Sequence, residues 1–128
     1  MCVMDENALS KIIVDTAFRI HKEMGPGLYE SVYEAILSYE LADYGLKVQR
    51  QVAIPVLWRE VNLDVGFRAD IIVEDKVVIE IKSVETLSAV HAKQVLTYLR
   101  LSNLKLGLLF NFNEALLKSG IKRLVNNL

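Results

Sequence analysis

The sequence predicts an α/β fold of the α+β mixed-sheet kind, with helices flanking a central mixed sheet in the order ααβββαβ. Three observations point there. The N-terminal third holds two stretches of helical apolar spacing separated by Gly25-Pro26-Gly27. The middle third alternates apolar and polar residues over successive short stretches, the pattern of strands. The last third has one more helical stretch followed by the unbroken apolar run Leu106-Gly-Leu-Leu-Phe110.

Taken in order, Ala8, Ile12, Ile13, Ala17, Ile20 and Met24 recur at helical spacing and define a first amphipathic helix. Gly25-Pro26-Gly27 stops it, proline and glycine being the strongest breakers. A second helix carries Tyr29, Val32, Tyr33, Ile36, Leu37 and Leu41 and ends at Gly45. Strands are expected over 47–57 and 61–73, turning around Arg59-Glu60, and a third over 76–83 completes a meander. Residues 87–101 are helical again. The run 106–110 has the continuous apolar character of a strand buried on both faces. Residues 116–128 fit either a helix or a short strand at 121–125.

Composition sets outer limits. At 128 residues the chain, 1–128, is expected to form one domain with its own core. Hydrophobic residues make up 52% and charged residues 24%, ordinary for a soluble globular protein. The longest apolar runs fall far short of the roughly 20 residues needed to span a bilayer, so no membrane association is expected. Met-Cys-Val-Met-Asp-Glu at the N-terminus lacks the basic and apolar regions of a signal peptide, which makes a cytoplasmic location the expectation. Cys2 is the single cysteine, leaving no internal disulfide and no thiolate metal cluster. The formal net charge is −1. Proteins that grip long nucleic acid by charge alone are usually basic, so any such contact has to come from a local patch.

The most informative segment is Asp70-Ile-Ile-Val-Glu-Asp-Lys-Val-Val-Ile-Glu80-Ile-Lys82. Strand periodicity puts Val78, Glu80 and Lys82 on one face and Val77, Ile79 and Ile81 on the other. In the preceding strand Phe67, Ala69, Ile71 and Val73 share one side, and Arg68, Asp70 and Ile72 the other. With Glu74-Asp75-Lys76 as a three-residue loop, Asp70 lies opposite Glu80, where Cβ atoms stand about 4.5–5.5 Å apart. A two-residue loop would shift the pairing by one. Two carboxylates so close repel, and a divalent cation between them removes the objection. The bland reading is a solvated face with Lys82 paired to Glu80; against it, Ile72 and Val78 share that face, so it is not simply wet.

These residues and their order resemble the PD-(D/E)XK nuclease superfamily, the restriction-endonuclease-like fold. Within it the chain is similar to the small group named for a Gly-x-x-Glu-x-x-Tyr motif, which stands here as Gly27-Leu-Tyr-Glu30-Ser-Val-Tyr33. The resemblance runs from about residue 12 to residue 125. It includes Gly25-Pro26-Gly27, Gly66-Phe-Arg-Ala-Asp70, Glu80-Ile-Lys82, His91, Gln94 with Tyr98, and Asn111-Phe112. One departure is Ala69, where the superfamily's nominal pattern has proline before the aspartate.

The resemblance implies that Asp70 and Glu80 hold one or two Mg²⁺ (or Mn²⁺) ions, with the backbone carbonyl of Ile81 as a further ligand. Lys82 would sit beside the attacking water, and Glu30 on the second helix would complete the metal site. Periodicity alone does not choose Glu30, because Glu40 falls nearer the middle of the same apolar stripe. His91, Gln94 and Tyr98 lie on one face of the third helix with Leu87 and Leu101. Gln94 and Tyr98 match a helicase-nuclease motif that approaches nucleic acid; the alternative is a helix packed on the sheet. His91 is a candidate substrate contact that also fits a cap or packing role, and His21 reads as structural. Tyr29, Tyr33, Tyr39 and Tyr44 read mainly as core or interface, with Tyr33, beside Glu30, also a candidate for substrate binding. The nucleic-acid partner expected is DNA ahead of RNA.

Three functions follow as expectations. The first is a metal-dependent nuclease built on Asp70, Glu80, Lys82 and Glu30. The second is a catalytically weak or inactive module of the same fold that binds nucleic acid or a protein. The third is a subunit of an assembly, a homodimer among the possibilities, with Leu116, Leu117, Ile121, Leu124, Val125 and Leu128 burying against a second copy.

Overall fold

In a computed structural model, which describes residues 3–128, the first helical spacing becomes α1 (Glu6–Met24), started by Asp5, whose side chain accepts the Ala8 N–H at 2.8 Å. Cys2, the lone cysteine, lies outside the described residues. The breaker acts as expected: Gly25 (φ 71°) and Gly27 (φ 95°) take backbone angles that side chains resist, which turns the chain into α2 (Glu30–Tyr44). Gly45 closes α2 in the left-handed conformation.

Next come β1 (Val48–Trp58), β2 (Val61–Val73), β3 (Val77–Lys82), α3 (Ala89–Ser102), β4 (Leu106–Asn111) and β5 (Ile121–Val125). They form one five-stranded sheet in the order β1-β2-β3-β4-β5. All neighbours are antiparallel except β3 and β4, which run parallel and are joined by the α3 crossover. The ambiguous C-terminal stretch resolves into a short 3-10 turn (Leu117–Gly120) leading into β5, which pairs with β4.

Helices cover both faces of the sheet. On one face Leu9, Ile13, Ala17, Tyr33, Leu37 and Leu41 from α1 and α2 pack on alternate residues of β2, β3 and β4, from Ile71 and Val73 to Leu108 and Phe110. On the other, Tyr98 and Leu99 of α3 pack on Ile54, Ala69, Ile72 and Val78. Hence β4 is buried along its whole length, as a two-sided strand requires. At Gly107 an added Cβ would stand 2.6 Å from Val95, so glycine is what lets α3 approach the sheet.

Three expectations need correction. Leu87 lies outside α3, because Ser88 caps the helix and starts it two residues later; Leu101, at 38% exposure, is not on the packed face. Strict alternation fails between Ala69 and Ile71, which pack on opposite faces of the sheet. The strand turns over at Asp70, opposite a backbone reversal at Gln51 (φ 51°) in β1. Finally, Leu117 joins the main core with Ile121 packed beside it, and Leu124 packs under α3, so only Leu116, Val125 and Leu128 of the C-terminal apolar set are left exposed.

Candidate active site

The β2–β3 hairpin has the three-residue loop expected, with Glu74 and Asp75 both left-handed (φ 52° and 55°). Its register runs Val73 to Val77, Ile72 to Val78 and Ile71 to Ile79, and its continuation sets Asp70 level with Glu80. There the carboxylates take over from the backbone ladder. Asp70 Oδ2 accepts the Ile81 N–H at 2.8 Å, and the Asp70 N–H donates to Glu80 Oε1 at 3.0 Å. Each acid therefore satisfies an amide of the opposite strand. That is a structural use for the pair that repulsion arguments alone do not reveal.

The arrangement still leaves two acids side by side, Glu80 buried and Asp70 half-buried. Burial foremost, then the charge of Asp70, pushes the Glu80 carboxyl up to about 7. Burial also raises Asp70, against the pull of its bond from the Ile81 amide. Lys82, one strand position beyond Ile81, lowers both values through its charge, but less than burial raises them. Its side chain is half-buried at the end of β3.

Glu30 reaches the same place from the first turn of α2. Its Oε2 accepts the Ser83 N–H at 3.1 Å, and the Ser83 hydroxyl donates to the Leu28 carbonyl at 2.7 Å. Tyr33 completes the brace: its hydroxyl donates to the Gly25 carbonyl at 2.5 Å and accepts the Leu28 N–H at 3.2 Å. Its ring stacks on Phe112 at 4.4 Å between centroids. Gly27, Glu30 and Tyr33 thus share a mechanical logic, in which a glycine turn is stapled by a tyrosine so that a glutamate faces the end of β3. Tyr33 is wholly buried, so the expectation that it binds substrate is corrected: its hydroxyl is spent on the turn.

Sequence reasoning missed Glu34, Arg50 and Gln51. Glu34 is buried one turn after Glu30. Its Oε2 takes Arg50 Nε and Nη2 at 3.1 and 2.9 Å, and its Oε1 takes Gln51 Nε2 at 2.6 Å. The same Nε2 lies 3.3 Å from Asp70 Oδ1. The i, i+4 spacing of Glu30 and Glu34 was the available signal, since it puts both on one helical face. Glu40, the rival by periodicity, does not line this cleft.

From α3, Tyr98 stands near the acids. Burial, then the charges of Glu80 and Asp70, pushes its hydroxyl up to about 12, and its ring lies 5.2 Å from that of Phe67. Gln94, one turn earlier, is half-buried. His91 Nδ1 accepts the Ser88 N–H at 3.2 Å, closing the helix start, so its ring serves as a cap. His21, as expected, is structural: it is buried with Nε2 at 2.8 Å from the Glu114 carbonyl oxygen. Asn111, fully buried, holds Val84 through both amide atoms (3.1 and 2.9 Å) and so fixes the chain just past Lys82.

Leu28, Tyr29, Glu30, Glu34, Gln51, Asp70 and Ser83 line an open cleft of about 670 Å³. Among the described residues no three His, Cys, Asp or Glu side chains converge closely enough to hold a metal ion by themselves. The expected three-carboxylate ligand set is therefore not assembled, because Glu30 is turned to the Ser83 amide. The pair of buried Glu80 and half-buried Asp70 does fit a hard cation, which would offset both their repulsion and the burial penalty. No helix of the described residues is long and apolar enough to cross a membrane. A family model described as the PD-(D/E)XK nuclease superfamily matches residues 7–124. No curated protein and no solved structure matches the chain significantly.

Proposed function

The chain belongs to the PD-(D/E)XK nuclease superfamily, and from that premise we propose that it is a nuclease hydrolysing phosphodiester bonds of DNA, ahead of RNA, with Mg²⁺ or Mn²⁺. That membership implies nucleic acid as substrate and a divalent metal as cofactor. The observation that carries the reading furthest is the juxtaposition of Asp70 and Glu80, with Lys82 at the end of β3, beside a cleft lined by Asp70 and Glu30. We place the whole of residues 1–128 in one nuclease-like domain, working in the cytoplasm, with a homodimer as its assembly.

In this reading Asp70, Glu80 and the Ile81 carbonyl hold the cation directly, and Glu30 reaches it through water, since Mg²⁺ usually keeps several. When bound, the metal polarises the scissile phosphate and lowers the pKa of a water ligand. The Lys82 ammonium holds the attacking water and offsets charge growing on the phosphate, a role suited to a compact, mobile point charge. Gln94, half-buried on α3, forms the wall against which the nucleic acid lies, with His91 and its cap at the far end and the buried Tyr98 supporting that wall from beneath.

A catalytically weak binding module is the second reading, favoured by the acidic cleft and the net charge of −1. Calorimetric titration of Mn²⁺ and Mg²⁺ tests the site without needing a substrate. Binding to wild type that is lost in Asp70→Asn and Glu80→Gln is expected. Absent binding, or binding unchanged in both variants, leaves the module reading. With a cleaved substrate in hand, Lys82→Ala should abolish cleavage while metal binding stays within a few-fold; wild-type cleavage by that variant would remove Lys82 from the chemistry.

A further inference from the structure

Gln51 is among the cleft residues that neither the motifs quoted above nor periodicity points to. It sits inside β1 with φ 51°, in the left-handed region that a non-glycine residue enters only when the surroundings enforce it. The register passes from Arg50–Ile71 to Val52–Ala69, so Gln51 is level with Asp70 on the neighbouring strand. The Gln51 carbonyl accepts Arg68 Nη1 at 3.0 Å, which holds the turned backbone. The reversal aims the side chain into the cleft, where Nε2 donates to Glu34 Oε1 at 2.6 Å and to Asp70 Oδ1 at 3.3 Å. A primary amide has two N–H donors, and both are spent on carboxylates from different elements, α2 and β2. Arg50 grips the other oxygen of Glu34, so that acid is held from both sides.

We propose that Gln51 is a positioning residue that ties α2 to the acid pair, fixing the orientation of Asp70 so that its remaining lone pairs face a divalent cation. This rests on the metal-site reading above. The residue type suits the task. A neutral amide orients Asp70 without adding charge. A lysine there would neutralise the acids and compete with the cation, and a glutamate would add a third repelling charge to Glu34 and Asp70. Mid-strand strain that serves only to aim one donor is the pattern expected where backbone geometry is sacrificed to a site. Groups that orient metal ligands in this way typically govern affinity by about 10- to 100-fold.

The test is Mn²⁺ titration by calorimetry on the full chain, beside thermal unfolding of each variant. Gln51→Gly removes the amide and accepts the left-handed backbone without strain, so it separates positioning from folding. Gln51→Gly, which trades the bond to Glu34 for relief of the left-handed backbone, should unfold within a few degrees of wild type and bind Mn²⁺ about 10- to 100-fold more weakly. Wild-type affinity in Gln51→Gly, with binding still abolished in Asp70→Asn, would overturn the positioning role alone. Wild-type protein with no Mn²⁺ binding sensitive to Asp70→Asn would overturn the metal site and the role together. Should Gln51→Gly unfold early, Gln51→Asn replaces it, because asparagine tolerates the left-handed region while its amide is one methylene too short to reach both acids. Wild-type Mn²⁺ affinity in Gln51→Asn would equally overturn the proposal, and a tenfold loss would support it.

Discussion

Glu80 is a carboxyl that the fold itself discharges. Its ordinary value of 4.5 is raised to about 7, so it binds a proton more tightly folded than unfolded. The sign follows: below about pH 4.5 its burial carries no charge penalty, and stability falls as pH rises through about 7. Asp70, raised by the same cause, works in the same direction. The loss is on the order of 3 kcal/mol for Glu80. In metal-free buffer the unfolding temperature should fall between pH 5 and pH 8, and Glu80→Gln should flatten that fall. A wild-type curve as flat as that of the variant would show that the carboxyl is ionised throughout. Added Mn²⁺ should raise the unfolding temperature more at pH 8 than at pH 5, because metal binding requires the deprotonated acids.

At the scale of elements, the turn between α1 and α2 decides where Glu30 points. The Tyr33 hydroxyl spans that turn with two hydrogen bonds, to Gly25 and from Leu28, in a buried setting. Tyr33→Phe keeps the stack on Phe112 and removes only the hydroxyl, leaving the part-buried Leu28 amide and Gly25 carbonyl without that partner. It should cost about 1–3 kcal/mol in chemical denaturation. It should also weaken Mn²⁺ binding several-fold through the loosened Glu30, with the acid pair intact. A variant as stable as wild type would mean that the turn holds without the staple. The elements themselves were legible from the chain. Both N-terminal helices, the hairpin and its three-residue loop, and the buried strand after α3 fall within a residue or two of expectation. The start of α3 was misjudged because the apolar spacing includes Leu87, whereas the hydrogen bonds of Ser88 and His91 determine where the helix begins.

For the whole molecule, the sheet order places the site where β3 ends alongside β2, with α2 on one face and α3 on the other. The C-terminal apolar residues were expected to meet a second copy, yet Leu117, Ile121 and Leu124 turn inward because β5 completes the sheet against β4. Of that set, Leu116, Val125 and Leu128 are left exposed to meet a second copy. The homodimer proposal expects light scattering at tens of micromolar to give the mass of two 14.5 kDa chains. A single-chain mass at every concentration would rule it out.

Sequence by itself determined the local periods, and with them most of the elements up to β4; given a loop of three residues, it also set Asp70 against Glu80. Those features depend on residues close along the chain: the loop of three settles which acid faces which. Only the tertiary structure decided what surrounds the pair. Glu34 and Gln51 are 17 positions apart, Gln51 and Asp70 are 19, and Glu30 and Ser83 are 53, so no local pattern could announce their bonds. Nor could alternation foresee that β2 turns over at Asp70, which stands level with the reversed backbone of Gln51 on the neighbouring strand. Periodicity assigns a side chain to a face. The partner it finds there is set by how α2 packs across the sheet, and that is a property of the assembled core.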